Sequence, residues 1–265
     1  MIIDSHCHLD DRSFDPDRHE VLARAKQAGV GAMLSIGSGS GPPDLEAAIR
    51  VAAASDSIYA TVGVHPHDAE KAGEQTFADL EELLGRPKVL ALGEIGLDYH
   101  YDNSPRERQR EVFVRQMEIA RDARKPIAIH TRDAWEDTLA LLDEHWVSSG
   151  LGCVMHCFSG NEQQADAVVA RGFYCSYAGV LTFTRADDVR AGAARVPLDR
   201  VLVETDAPYL TPAPFRKVRR NEPCYVVHTA KRLAELKSVS YEELATQTTR
   251  NFCRLFGLPV SAFGV

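Results

Sequence analysis

Met1-Ile2-Ile3-Asp4-Ser5-His6-Cys7-His8 opens the chain as an apolar run that ends in two histidines, and the same pattern returns further along. Val89-Leu90-Ala91-Leu92-Gly93 runs into Glu94, Pro126-Ile127-Ala128-Ile129 into His130, Cys153-Val154-Met155 into His156, and Val201-Leu202-Val203-Glu204-Thr205 into Asp206. Short runs rich in Val, Ile and Leu suit parallel strands buried on both faces, and the longer amphipathic stretches between them suit crossover helices. Eight such runs are readable, at about Met1 to His6, Ala32 to Ile36, Tyr59 to Val64, Val89 to Gly93, Ile127 to His130, Cys153 to Cys157, Tyr174 to Ala178 and Val201 to Thr205. Helical spacing is visible in Arg18 to Ala28, Asp44 to Ala54, Arg106 to Ala123, Trp135 to Glu144, Glu162 to Arg171, Tyr225 to Leu236 and Tyr241 to Leu255, with Asp133 and Asn161 placed as caps. Strand-then-helix repetition of this kind predicts an α/β fold, a (β/α)8 TIM barrel, in a single domain over residues 1–265.

At 265 residues, 45% hydrophobic and 26% charged, the chain can bury one large core. Its formal net charge of -8 argues against a protein that coats nucleic acid by bulk electrostatics, yet permits an enzyme whose positive charge is concentrated at a site. The N-terminal residues lack the features of a secretory signal and no apolar stretch is long enough to span a bilayer, so a cytoplasmic protein without membrane contact is expected. Six scattered cysteines read as reduced thiols. Cys153 and Cys157 flank Val154-Met155-His156 in a strand, which favours burial over a structural zinc. A closed barrel has no free sheet edge, so a monomer is expected.

Residues two apart on a strand point the same way, which lets His6 and His8 reach one cation. Singly, each candidate reads as a core histidine or a helix cap. His6, His8, Glu94, His130, His156 and Asp206 together, each at the carboxyl end of a strand, read as a metal site on the rim where barrel enzymes keep their chemistry. Desolvating so many ionisable groups is costly, and a divalent cation offsets that cost. The set is too large for one catalytic zinc, so two cations are expected, and a carboxylate such as Glu94 has two oxygens with which to bridge them. Mixed imidazole and carboxylate ligands suit Zn²⁺, Mn²⁺ or Fe²⁺ over Ca²⁺.

Seven motifs carry a wider likeness: Ile3-Asp4-Ser5-His6-Cys7-His8-Leu9, Gly63-Val64-His65-Pro66-His67, Gly93-Glu94-Ile95-Gly96-Leu97-Asp98-Tyr99, Pro126-Ile127-Ala128-Ile129-His130-Thr131-Arg132, His156-Cys157-Phe158-Ser159-Gly160, Glu204-Thr205-Asp206-Ala207-Pro208-Tyr209-Leu210 and Arg220-Asn221-Glu222-Pro223. In order and spacing the chain resembles the TatD family of metal-dependent deoxyribonucleases, within the amidohydrolase-like barrel superfamily. The resemblance implies hydrolysis of DNA, at single strands or 3′ ends, with two divalent cations such as Zn, Mn or Mg. It implies His6 and His8 on one metal, Glu94 shared, His130 and His156 on the second, and Asp206 beside the attacking water. TatD-like proteins are associated with 3′ exonuclease action, endonuclease action and removal of D-amino acids from transfer RNA.

On this reading Glu94 and Asp206 are catalytic: Asp206 takes a proton from a water that attacks phosphorus, while the cations neutralise phosphoryl charge. His65 is expected to orient a phosphate or water, with His67 turned away across Pro66. Tyr99 and Tyr209 are candidates for stacking on sugar or base. Arg216, Lys217, Arg219 and Arg220, on a long loop from Ala207 to Pro223, are candidates for gripping phosphates. Two competing readings are an amidohydrolase acting on a small ester or amide, and a silent metal or nucleic-acid binding protein. Many amidohydrolases bridge their metals with a carbamylated lysine, whereas the fourth strand here offers Glu94, with Lys88 before the strand.

Overall fold

A computed structural model describes residues 1–38, 41–42 and 44–264. Its strands are β1 (Ile2–Cys7), β2 (Val30–Ser35), β3 (Ile58–Val62), β4 (Val89–Asp98), β5 (Ile127–Arg132), β6 (Cys153–Met155), β7 (Tyr174–Tyr177) and β8 (Val201–Val203), in one sheet ordered β1 to β8. Helices α1 (Arg18–Gln27), α2 (Ala47–Ala53), α3 (Glu74–Leu83), α4 (Arg106–Asp122), α5 (Trp135–His145), α6 (Glu162–Ala170), α7 (Asp187–Arg195), α8 (Val226–Lys237) and α9 (Tyr241–Phe256) alternate with them. Sequential strand order with helical crossovers is the (β/α)8 barrel read from the sequence. The chain falls into two compact units, Met1–Leu34 with Met155–Val265, and Ser35–Val154. Among the described residues no helix is long and apolar enough to cross a membrane.

In the first unit β7 and β8 run parallel, with Cys175 opposite Val201 and Tyr177 opposite Val203. The first strand is laid beside the last: Asp206 N donates to His6 O at 2.9 Å, His8 N to Ala207 O at 2.7 Å, and Ser5 Oγ to Val203 O at 3.0 Å. Every residue of β1 is buried. Helix α9 turns Leu244, Thr248, Phe252 and Leu255 inward, a spacing of three and four residues that defines one helical face. Asn251, on the same helix, donates from Nδ2 to the carbonyls of Leu198 and Val201 at 2.9 and 2.8 Å, holding the start of β8.

In the second unit β3, β4 and β5 are parallel neighbours. Strand β4 does not stop at Gly93 as the sequence suggested; it continues to Asp98 with all ten residues buried. The charged positions 94 and 98 were mistaken for an exit to solvent because their compensating partners are distant in sequence. The β4/β5 register passes from Gly93 opposite Ala128 to Ile95 opposite Ile129, so Glu94 sits in a bulge, a device that re-aims a side chain next to a site. Gly96 follows at φ +137°, where an added Cβ would strike the His130 carbonyl.

Two helices, α3 and α7, carried no marked signal in the sequence. The inward residues of α7 are Val189, Gly192 and Ala193, too small to mark an apolar stripe. Asn161 caps α6 as expected, accepting from Gln164 N at 3.0 Å. Asp133 does not cap α5: Ala134 holds the cap position, and Asp133, at φ +53°, turns its carboxylate to His100 at 3.0 Å.

Candidate metal centre

Within the first unit, β1, β6 and β8 deliver His6, His8, His156 and Asp206 to one place. Three imidazole Nε2 atoms converge on Asp206 Oδ1, from His8 at 3.3 Å, His6 at 3.7 Å and His156 at 4.0 Å. The His6 and His156 rings lie stacked with centroids 3.5 Å apart and an interplanar angle of 17°. Separations beyond about 3.2 Å are too long for good N–H···O bonds, whereas nitrogens and an oxygen grouped in this way surround a cation well. The atoms of His6, His156 and Asp206 lie close enough together for one ion. Burial pushes the Asp206 carboxyl up, but the approach of the His8, His156 and His6 imidazoles outweighs it and holds the group below its ordinary range.

Glu204, which the sequence reading passed over, supports this group from beneath. It is fully buried, its Oε1 accepts from Cys157 N at 2.8 Å, and the same oxygen lies 2.8 Å from His156 Nδ1. That contact sets the carboxylate against one edge of the His156 ring while Nε2, on the other edge, faces Asp206. The signal was present in the sequence: positions 204 and 206 are two apart.

Within the second unit, Glu94, His65, His67, Asp98 and His130 form another cluster. Asp98 is its hub. This 0% exposed carboxylate accepts from His67 Nε2 at 2.9 Å and His130 Nε2 at 3.1 Å through Oδ2, and from His100 N and Tyr101 N at 3.0 and 2.9 Å through Oδ1. Burial alone would raise its pKa; the bonds from His130, Tyr101 and His67 reverse that and hold it well below the carboxylate range. Because Asp98 accepts a hydrogen bond from Nε2–H, a neutral His130 turns its Nδ1 lone pair towards Glu94 Oε1, 2.9 Å away. A lone pair facing a carboxylate at that distance calls for a cation between or beside them. The donor chemistry therefore fits a divalent metal, which Glu94 and His130 are placed to hold with His65 beside them.

His65 accepts from His67 N at 3.1 Å through Nδ1, leaving Nε2–H directed at Glu94 Oε1, 3.6 Å away. Burial pushes its pKa down to about 4, so the ring stays neutral at physiological pH. His67 does not turn away as expected: the short helical turn after Pro66 brings its ring back to Asp98.

The substrate-binding candidates separate. Tyr209 is 55% exposed and stands edge-on to His8 with centroids 5.9 Å apart. Tyr99 is more enclosed, its hydroxyl donating to Asp137 at 2.6 Å and its ring covered by the Arg106 guanidinium at 4.4 Å. Arg216 lies over Phe183 at 3.5 Å and donates to Thr211 O. Arg219 and Lys217 are exposed. Arg220 is engaged inside the protein: it donates to Ser13 O and Asp17 Oδ1 at 2.6 Å, to Asp17 Oδ2 at 2.7 Å and to Glu222 at 3.0 Å, while Arg24 bonds the same two carboxylates. Replacing Arg220 with Ala is expected to lower stability by about 2 kcal/mol, the scale of a charged hydrogen-bond group, whereas Arg219→Ala leaves the melting temperature unchanged and flattens the salt dependence of nucleic-acid binding. Thermal melts beside salt-dependent binding of the two variants check this; equal melting temperatures would deny Arg220 its structural task.

A barrel that carries histidine and carboxylate donor groups of this composition belongs to the metal-dependent hydrolases. The chain is a member of the TatD related DNase family, whose model matches residues 3–257. It is 42% identical over 256 residues to the uncharacterized metal-dependent hydrolase YabD of Bacillus subtilis (strain 168), covering 97% of this chain and 99% of that protein. It is 39% identical over 259 residues to the 3′-5′ ssDNA/RNA exonuclease TatD of Cronobacter sakazakii, covering 96% and 97%. The crystal structure of the TatD homolog YjjV of Escherichia coli K12 superposes with a TM-score of 0.89 at 32% identity, over 97% of this chain and 98% of that one.

Proposed function

We propose that this hydrolase cleaves phosphodiester bonds of single-stranded nucleic acid, DNA foremost, from the 3′ end. The observation that carries the reading is the pair of histidine and carboxylate groups, one around Asp206 and one around Glu94 and His130, in a chain of this family. The similarity to a 3′-5′ ssDNA/RNA exonuclease supports the substrate class. The ligands proposed are His6, His8, Glu94, His130, His156 and Asp206, for two divalent cations of the Zn, Mn or Mg kind. Such a cation, when bound, lowers the pKa of a coordinated water and neutralises charge on phosphoryl oxygens.

The residues around it do the rest. Asp206, held ionised by its histidines, accepts the proton of the attacking water. Asp98, hydrogen-bonded to His130, and Glu204, in contact with His156, are proposed to orient these two imidazoles. Neutral His65 lies beside Glu94 without adding positive charge. Tyr209 and Arg219 are proposed to meet the substrate, with Arg216 and Tyr99 as further candidates, and Arg220 anchors the loop after β8. The span of the family model supports one hydrolase domain, and we take it to work as a cytoplasmic monomer.

The test is hydrolysis of 5′-labelled single- and double-stranded DNA by metal-stripped protein to which Mg²⁺, Mn²⁺ or Zn²⁺ is restored, with Glu94→Ala as control. A ladder shortening from the 3′ end, absent from the control, is expected. No cleavage by protein that still binds the ions would overturn the nuclease reading in favour of a small ester, an amide or an aminoacyl-transfer RNA.

A further inference from the structure

Tyr101 carried no role in the sequence reading and Arg132 stood there only as the end of a motif, yet the two meet at the surface of the second unit. Tyr101 is 55% exposed, one of few large apolar side chains left in solvent among the described residues. Its ring is held in place from three sides. The Arg132 guanidinium lies 4.8 Å from its centroid, and the rings of His100 and His67 meet it edge-on at 4.9 and 5.4 Å with interplanar angles of 89° and 88°. Its backbone N–H is tied to Asp98 Oδ1 at 2.9 Å, the carboxylate that also holds His130. The side chain is thus oriented in advance and linked through Asp98 to a metal-ligand candidate.

Arg132 is distinctive for a different reason. In a chain with net charge -8, the nearby cations are neutralised, Arg106 by Asp102 and Arg110 by Asp137. Among the described residues Arg132 has no carboxylate in ion-pair contact, and it is exposed. It stands on β5 two residues beyond His130 and opposite Asp98 on β4, so its strand position points it to the same side as that histidine. An uncompensated guanidinium beside an immobilised, exposed aromatic ring offers the two things a nucleotide needs, a stacking platform and a phosphate partner.

We propose that Tyr101 and Arg132 form a nucleotide subsite beside the Glu94 and His130 cluster, in which the tyrosine ring stacks an unpaired base and Arg132 binds its phosphate. The inference rests on the nuclease reading above and deepens it. A paired base is stacked on its own neighbours and cannot lie on the ring, so the subsite selects single strands, and a π-face is common to all bases, so it selects no sequence.

The experiment is equilibrium binding, by fluorescence anisotropy, of labelled phosphorothioate oligothymidylate to the metal-loaded protein, with and without an abasic 3′-terminal nucleotide. Wild type is expected to bind the intact strand about tenfold more tightly than the abasic one, as the loss of one stacked base implies. Tyr101→Ala should bind both equally, at the weaker level, Tyr101→Phe should behave as wild type, and Arg132→Gln should weaken both strands and reduce the salt slope by about one ion. Circular dichroism and thermal melts of each variant guard against loss of fold, with Tyr101→Phe and Tyr101→Leu as a pair that separates an aromatic from a merely apolar requirement. Wild-type discrimination unchanged in Tyr101→Ala and Tyr101→Leu would overturn the subsite while leaving the nuclease standing. Failure of wild type to bind or cut any strand would overturn both.

Discussion

Asp206→Asn is expected to lose at least three orders of magnitude in kcat while keeping the native fold and melting temperature. The carboxylate is the proposed proton acceptor and the focus of three imidazole nitrogens, and the amide removes charge and basicity at nearly constant volume. A lost general base alone accounts for about 10²–10⁴ in rate. The fold should tolerate the change for a local reason: Asp206 sits at φ +55°, a conformation that asparagine, alone among the larger residues, adopts as readily as aspartate. Steady-state kinetics beside circular dichroism would settle it. A variant with wild-type turnover would remove Asp206 from the chemistry, and one that is inactive only because it is unfolded would be exposed by the melt.

Asp98 should show the second large effect, and of a different kind. Asp98→Ala removes a fully buried acceptor from His67, His130 and two backbone N–H groups; each buried donor left unsatisfied costs about 1–3 kcal/mol, so a fall in melting temperature of many degrees is expected. Asp98→Asn is more informative. If its amide NH₂ faces the two histidines, Nε2 of His130 must become an acceptor and the proton moves to Nδ1, the nitrogen turned to Glu94. The ligand lone pair is then lost without loss of the ligand. Weakening of metal affinity by about 10- to 100-fold is expected, read by isothermal titration. The ¹⁵N shifts of the imidazoles report the tautomer directly. Unaltered affinity together with an unaltered tautomer would show that Asp98 does not set the donor state of His130.

The strands were legible because parallel strands buried on both faces are nearly pure Val, Ile, Leu and Ala, and the candidate ligands stood out because polar groups interrupt such runs only for cause. What escaped the sequence was the second layer of carboxylates. Asp98 and Glu204 are buried acids whose partners lie in other strands or loops, His130 for the first and Cys157 for the second. An acid at a strand end looks the same whether it caps a helix, binds a metal or supports a histidine. The roles of the loop arginines escaped for a similar reason. Arg216, Arg219 and Arg220 are alike in sequence, yet one covers Phe183, one stays in solvent and one is locked against Asp17 and Glu222. Helix α7, whose buried side is made of glycine and alanine beside one valine, gave periodicity too faint to read.

The interlocked Arg24, Asp17, Arg220 and Glu222 quartet divides the loop after β8 into a fixed root and a replaceable tip. Asn221 strengthens the root by donating to the carbonyls of Thr205 and Tyr209 at 2.9 and 2.6 Å, on either side of Asp206. Changes between residues 212 and 219 are thereby insulated from Asp206, the proposed proton acceptor. Such a boundary lets a lineage vary its substrate range without repairing its chemistry after each change, and it marks where the tip of one relative could be transplanted into another.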